Sequence, residues 1–366
     1  MIRHVLGISG GKDSAALAIY MKTKYPDMQL ELYSSDTGKE LEETYELIDN
    51  LENYLGIKIN ILKAAEDSSS DPFDHFLEMY GGYLPSSNVR WCTKKLKLEP
   101  FEKFVGTDPV VSYVGIRGDE DREGYISTKT NVQSIFPFRQ NIWSEEVVRK
   151  ALSNTNIDQL YSYVKDIEIA NQSEKFKTLL TTPTSFLIDQ NVKLEGLLEI
   201  DTVAFNHIIF KYLQTTDYPL AKETFFPLLD NDEVLVRSDI FRILEESGVG
   251  VPQYYKEIGF EHNGKSGAYA RSRSGCYFCF YQQKIEWVWL YEQHPDLYAK
   301  AMEYEKDGYT WNQEESLADL IKPERMARIK EEYIKKTQRN KEKAQSPYLL
   351  DILADAESEG CASCFI

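Results

Sequence analysis

The chain has 366 residues, 42% of them hydrophobic and 28% charged. That length points to two lobes, or to one lobe with a large insertion. No apolar run approaches the roughly 20 residues that span a bilayer, and the N-terminus reaches Gly7 and a polar loop too soon for a signal peptide. A cytoplasmic protein without a membrane partner is therefore expected. The formal net charge of −17 excludes general electrostatic attraction to nucleic acid; a nucleic-acid substrate would need a local basic groove or a helper protein.

In chain order, residues 4–8 read as a short buried strand and residues 14–21 as the helix after it. Residues 30–33 form a second expected strand, 41–55 a long amphipathic helix, 57–62 a third strand and 110–116 a fourth. Strands alternating with helices predict an α/β, Rossmann-like parallel sheet with helices on both faces. Ligands of such sheets bind beyond the C-terminal strand ends. Three polar segments begin there: Ser9 onward, Ser34-Ser35-Asp36 and Gly115-Ile116-Arg117-Gly118. The expected organisation is a nucleotide-binding domain over 1–145, a helical insertion over 146–235, a cysteine-containing segment over 236–300 that completes the core, and a helical C-terminal region over 301–366. Within these, residues 287–304 read as one Trp/Tyr-rich helix and 323–343 as a long basic helix.

The most informative segment is Ser9-Gly10-Gly11-Lys12-Asp13-Ser14 between the first strand and helix. Gly10 and Gly11 let the backbone turn tightly and approach an anion. Backbone N–H groups and the positive helix end then converge on that anion. Ser9 and Ser14 add hydroxyls, Lys12 a point charge, and Asp13 a helix cap or a contact to Mg²⁺. It is not a Walker A loop, because Leu6 and Asp13 stand where glycine and Ser or Thr are needed. A glycine turn with an incidental lysine is the plainer alternative, but all six positions and both flanks agree with phosphate binding.

The loop resembles that of the PP-loop ATP pyrophosphatases, whose members cleave ATP between the α and β phosphates to activate an oxygen as its adenylate. Further segments are similar to the phosphoadenylylsulfate-reductase-like branch. These are Asp36-Thr37-Gly38 with Glu43-Thr44-Tyr45, Arg90-Trp91-Cys92-Thr93 with Lys97 and Pro100, Gly115-Ile116-Arg117 with Arg122, and Gly275-Cys276-Tyr277-Phe278-Cys279. The resemblance covers roughly 1–145 and 235–300. It implies the adenine nucleotide alpha hydrolase-like fold, with Lys12, Asp13 and Ser14 as catalytic residues. It also implies that Ser9, Gly10, Gly11, Asp36, Gly115 and Arg117 hold ATP and Mg²⁺.

Within that branch the chain most resembles the ATP pyrophosphatases of bacterial DNA phosphorothioation, of the DndC and SspD type. That likeness implies adenylation of a DNA phosphate oxygen and its replacement by sulfur, as in antiphage defence. The implied partners are a cysteine desulfurase, other phosphorothioation proteins and DNA presented with their help. A sulfonucleotide reductase is the alternative; the intact loop counts against it, as do Thr93 after Cys92 and the missing terminal Glu-Cys-Gly. A tRNA thiolase and a non-catalytic nucleotide-sensing module remain as further alternatives.

Five cysteines, an odd number, argue against a disulfide framework. Cys92, Cys276 and Cys279 could hold a [4Fe–4S] cluster with one iron open. Alternatively, Cys276, Cys279, Cys361 and Cys364 could bind zinc, or Cys361 or Cys364 could carry a persulfide. Arg271 and Arg273 flank the late pair and could form a basic mouth.

Overall fold

A computed structural model of the protein describes residues 2–120, 129–169, 173–306 and 308–344. Five parallel strands form the central sheet: β1 (Arg3–Gly7), β2 (Leu30–Asp36), β3 (Ile59–Lys63), β4 (Val110–Tyr113) and β5 (Val132–Ile135), in the order β3-β2-β1-β4-β5. The chain reverses direction of progression at β1, with β2 on one side and β4 on the other. A crevice opens at such a reversal, beyond the C-terminal strand ends. The 9–14 loop sits there because it directly follows β1. The α/β expectation holds, and β5 is a strand the sequence pattern did not announce: its four residues are all buried, so they show no alternation.

Helices α1 (Lys12–Lys24) and α2 (Glu42–Leu55) follow β1 and β2. α1 has ten buried residues in unbroken succession from Lys12 to Met21, so it is an interior helix. α2 is amphipathic, burying Leu47, Ile48, Leu51 and Leu55, and Gly56 ends it at φ +62°. After β3 come α3 (Pro72–Met79), the single turn α4 (Trp91–Thr93), a π-helical stretch (Lys94–Leu98) and α5 (Glu99–Val105). Phe101 and Val105 of α5 cover one sheet face together with Val5, Tyr33, Val110 and Val132.

Helices α6 (Glu145–Ala151), α7 (Ile157–Tyr163), α8 (Ser173–Thr181) and α9 (Gln190–Leu213) make up the helical region after the sheet. Ser144 caps α6 through the Val147 N–H, and Asp189 caps α9 through the Val192 N–H. These helices share a hydrophobic core with the sheet: Phe205, Ile208 and Ile209 belong to the same cluster as Leu6, Leu17 and Leu32. α10 (Arg237–Ser247) packs on α1 and closes this side.

An antiparallel hairpin follows, β6 (Ile258–His262) and β7 (Lys265–Tyr269). Then come α11 (Lys284–Gln293), α12 (Pro295–Glu303), α13 (Leu317–Leu320) and α14 (Pro323–Ala344). The single helix expected over 287–304 is two helices. Pro295 cannot continue a hydrogen-bond ladder and holds His294 at φ −137°, so the chain breaks there. Around these helices lies a second, aromatic core with Phe73, Trp91, Phe278, Trp287, Trp311 and Tyr298. Burial of each such ring contributes about 1.5–3 kcal/mol. Trp287 and Trp289 are thus packing groups. No helix among the described residues is long and apolar enough to cross a membrane.

Candidate functional site

The 9–14 loop leaves β1 with Gly10 at φ +70°, a conformation natural only to glycine. A side chain there would also collide with Thr44 of α2. The Ser9 N–H donates to Ser14 Oγ at 3.2 Å, and Ser14 Oγ donates to the Gly11 carbonyl at 3.1 Å, which holds the turn closed. Lys12, Asp13 and Ser14 are all buried at the first turn of α1.

Their charges are already paired. Lys12 Nζ donates to Asp13 Oδ2 at 2.9 Å, and Arg117 Nη1 donates to Asp13 Oδ1 at 2.9 Å. Arg117 also pairs with Glu120 at 3.0 Å and with Asp119 at 2.8 Å. Burial alone would raise the Asp13 pKa, but Lys12 and Arg117 together hold its carboxyl below the ordinary range. Burial likewise opposes the charge on Arg117, and Asp13 and Glu120 outweigh it. Arg117, expected among the nucleotide-holding residues, pairs with Asp13 from beyond the end of β4. Gly115 brings that segment in, its backbone lying so close to the Asp13 carbonyl that a side chain would not fit. Arg122, grouped with this loop in the sequence, lies outside the described residues.

Asp36 at the end of β2 serves first as a turn cap. Its Oδ1 accepts the Gly38 N–H at 2.8 Å and the Tyr45 hydroxyl at 2.9 Å, and its Oδ2 pairs with Lys63 at 3.2 Å. It also lines a cavity of about 460 Å³ with Ser9, Ser34, Ser35, Thr44 and Ile61. This cavity adjoins the loop at the ends of β1, β2 and β3. Two larger cavities, of about 700 and 790 Å³, touch neither the loop nor the cysteines.

The late cysteine segment reaches this same place. A Cβ on Gly11 would stand 2.7 Å from Ser274 Oγ, so the Ser274 side chain lies directly on the loop. Cys276 bridges to Glu40 in antiparallel fashion, the Tyr277 N–H donates to the Lys39 carbonyl at 2.9 Å, and Cys276 Sγ is 3.2 Å from Thr37 Oγ1. Thr37 donates onward to Glu40 at 2.6 Å, and Tyr45 donates to both Glu40 and Asp36. A continuous polar chain therefore runs from Cys276 to the wall of the cavity beside Asp36. Loss of surrounding water, then the Glu40 carboxylate, pushes the Cys276 thiol well above its ordinary range.

Cys92, Cys276 and Cys279 are half-buried residues and take part in no disulfide. Cys92 and Cys276 pack against the aromatic core. Among the described residues, no three His, Cys, Asp or Glu side chains are grouped to hold a metal ion. Cys361 and Cys364, the other half of the zinc alternative, lie outside the described residues. Arg271 is buried beneath the pair, donating to the Cys276 carbonyl at 3.0 Å between the rings of Tyr254 and Trp289.

Sequence reasoning missed the residues that close the loop from above. The Tyr254 hydroxyl donates to the Gly10 carbonyl at 3.1 Å, and the Tyr255 hydroxyl accepts the Lys12 N–H at 3.4 Å. The Tyr255 ring lies 5.0 Å from Lys12 Nζ, and burial pushes its hydroxyl pKa up to about 12. Glu43 fixes this pair by accepting the Tyr254 N–H at 3.2 Å.

Residues 3–178 match the family model of the phosphoadenosine phosphosulfate reductase domain. Two uncharacterised proteins of Methanocaldococcus jannaschii are similar in sequence. One is 32% identical over 164 residues, covering 41% of this chain and 32% of the relative. The other is 24% identical over 172 residues, covering 43% of this chain and 39% of the relative. The match thus spans well under half the length of either relative.

Proposed function

We propose that this reductase-type domain works as an ATP pyrophosphatase coupled to sulfur transfer, with a phosphate oxygen of DNA as acceptor. One observation carries the reading: Ser274, two residues before Cys276, lies on Gly11 of an intact phosphate loop. Nucleotide activation and thiol chemistry then share one pocket. The family match fits a nucleotide-using, sulfur-related enzyme.

In this reading ATP arrives with Mg²⁺, its β and γ phosphates over residues 9–14 and its nucleoside in the cavity beside Asp36. Lys12 exchanges Asp13 for phosphate oxygens, while Arg117 keeps Asp13 ionised and in place. The acceptor oxygen attacks the α phosphorus; the bond to the bridging oxygen breaks and pyrophosphate leaves with the electron pair. The protein's contribution is positioning and charge stabilisation. A persulfide formed by a cysteine desulfurase partner then attacks the activated acceptor phosphorus through its outer sulfur, and AMP leaves; a second thiol attacks the inner sulfur, which leaves the outer sulfur on phosphorus and a disulfide that a dithiol reductant reopens.

The test is pyrophosphate release from ATP by the full chain with DNA and sulfide. Lys12→Ala should abolish release; undiminished release sinks the assignment. A sulfonucleotide reductase would instead reduce adenylyl sulfate without consuming ATP. Anaerobic purification tests the cluster separately: about four irons per chain would assign Cys92, Cys276 and Cys279 as its ligands, and iron-free protein would overturn it.

A further inference from the structure

We infer that the face formed by residues 79–98 together with Lys306 and Tyr309 docks a single-stranded nucleic acid. The inference rests on the acceptor being a nucleic acid, and it adds where that acceptor binds and in which form. Between Met79 and Leu98 there is no Asp or Glu, while Arg90, Lys94, Lys95 and Lys97 are all positive. In a chain of net charge −17 this is a local inversion of sign along the sequence; Lys95 is taken up by Glu99 at 2.7 Å, so Arg90, Lys94 and Lys306 are the cations exposed on the face. Arg90 and Lys94 are exposed, and the Lys306 ammonium packs against the turn at Gly82.

Aromatic rings are interleaved with these charges. Tyr83 and Tyr309 are 42% and 47% exposed, with their rings in edge contact at 5.1 Å. Tyr80, also exposed, stacks on Trp91 at 5.3 Å. The tyrosines are held rather than loose: Trp91 is buried, and its indole N–H donates to the Tyr83 carbonyl at 2.9 Å. Exposed ring faces on a fixed turn, rimmed by cations, suit unpaired bases, whose π faces are free to stack while the backbone follows the charges. In a duplex those faces are covered by neighbouring base pairs.

The surface also leads to the chemistry. Trp91 precedes Cys92, and the Arg90 guanidinium lies 5.1 Å above the ring of Tyr281, two residues past Cys279. A strand stacked on Tyr83 and Tyr309 would therefore run toward the cysteines.

The experiment is fluorescence anisotropy of a labelled oligonucleotide, single-stranded and as its duplex, titrated with the nucleotide-free full chain at several salt concentrations. The single strand should bind at least about tenfold tighter than the duplex. Tyr83→Ala with Tyr309→Ala should weaken single-strand binding about tenfold with an unchanged salt slope. Lys94→Glu should weaken it and flatten the slope. Melting curves check that these exposed variants remain folded. Equal or tighter duplex binding, no binding, or variants that bind like the wild type overturn the inference. If binding depends on Tyr83 and Lys94 but the wild type releases no pyrophosphate, the surface stands and the ATP reading falls. If pyrophosphate is released and the variants bind normally, the surface falls alone.

Discussion

Tyr254 donates its hydroxyl proton to the Gly10 carbonyl across 244 positions of sequence. This bond ties the phosphate loop, which is local to β1 and α1, to the segment that carries the late cysteines. Tyr254→Phe removes it with little change in shape. The expected cost is about 1 kcal/mol in a urea titration, with weaker ATP binding by calorimetry. Unchanged ATP affinity would reduce the tyrosine to a packing role.

Gly10 meets two constraints at once, its φ of +70° and the nearness of Thr44. Gly10→Ala should destabilise by more than about 1 kcal/mol. Adding Thr44→Ser, which deletes the methyl in the way, should restore part of that loss in denaturant melts. Strictly additive losses would show that the collision is not the cause.

Arg117 stands among Asp13, Asp119 and Glu120 with its side chain only 4% exposed. Arg117→Ala leaves these carboxylates without their shared cation, at an expected cost of about 3–5 kcal/mol. Arg117→Lys keeps the charge but not the fork of donors, so its loss should be smaller. Equal losses for the two variants would mean that geometry, not charge, dominates.

How much of this was readable beforehand depends on the distance over which each feature is encoded. The loop, its flanking strands and the helices α1 and α2 are local, and glycine placement with hydrophobic period exposes them. The β6–β7 hairpin also had a local signal, Asn263-Gly264 with both residues at positive φ, which favours a two-residue turn. Neither the two tyrosines over the loop nor the contact of Ser274 with Gly11 had one, since each joins segments more than 240 positions apart. Asp119 and Glu120 beside Arg117 were legible as neighbours. Their burial was not, and burial turns a surface pairing into a brace for Asp13.

A pH effect is expected far from the loop. Arg325, first, and then Lys284 hold the Glu315 carboxyl down at about 2, against loss of water that works to raise it. Arg325 Nη2 and Lys284 Nζ lie 2.6 and 2.9 Å from Glu315, which thereby joins α14 to α11. With the folded value depressed, this stabilisation is fully present above the ordinary 4.5 and is lost as pH falls toward 2. Glu315→Gln should lower the melting temperature at pH 7 but leave it close to wild type near pH 2. A difference that stays constant across that window would contradict the coupling.

The seating of Ser274 and Tyr255 on the loop bears on when the protein becomes competent during its own synthesis. The strand, glycines and lysine emerge early, yet the groups that finish their enclosure are made only after some 270 residues have been translated. A nascent chain thus presents the loop open to water and without Cys276 and Cys279. Any ATP held there could be neither shielded nor handed on. A fragment ending at the helical region would therefore be expected to bind nucleotide weakly and turn none over.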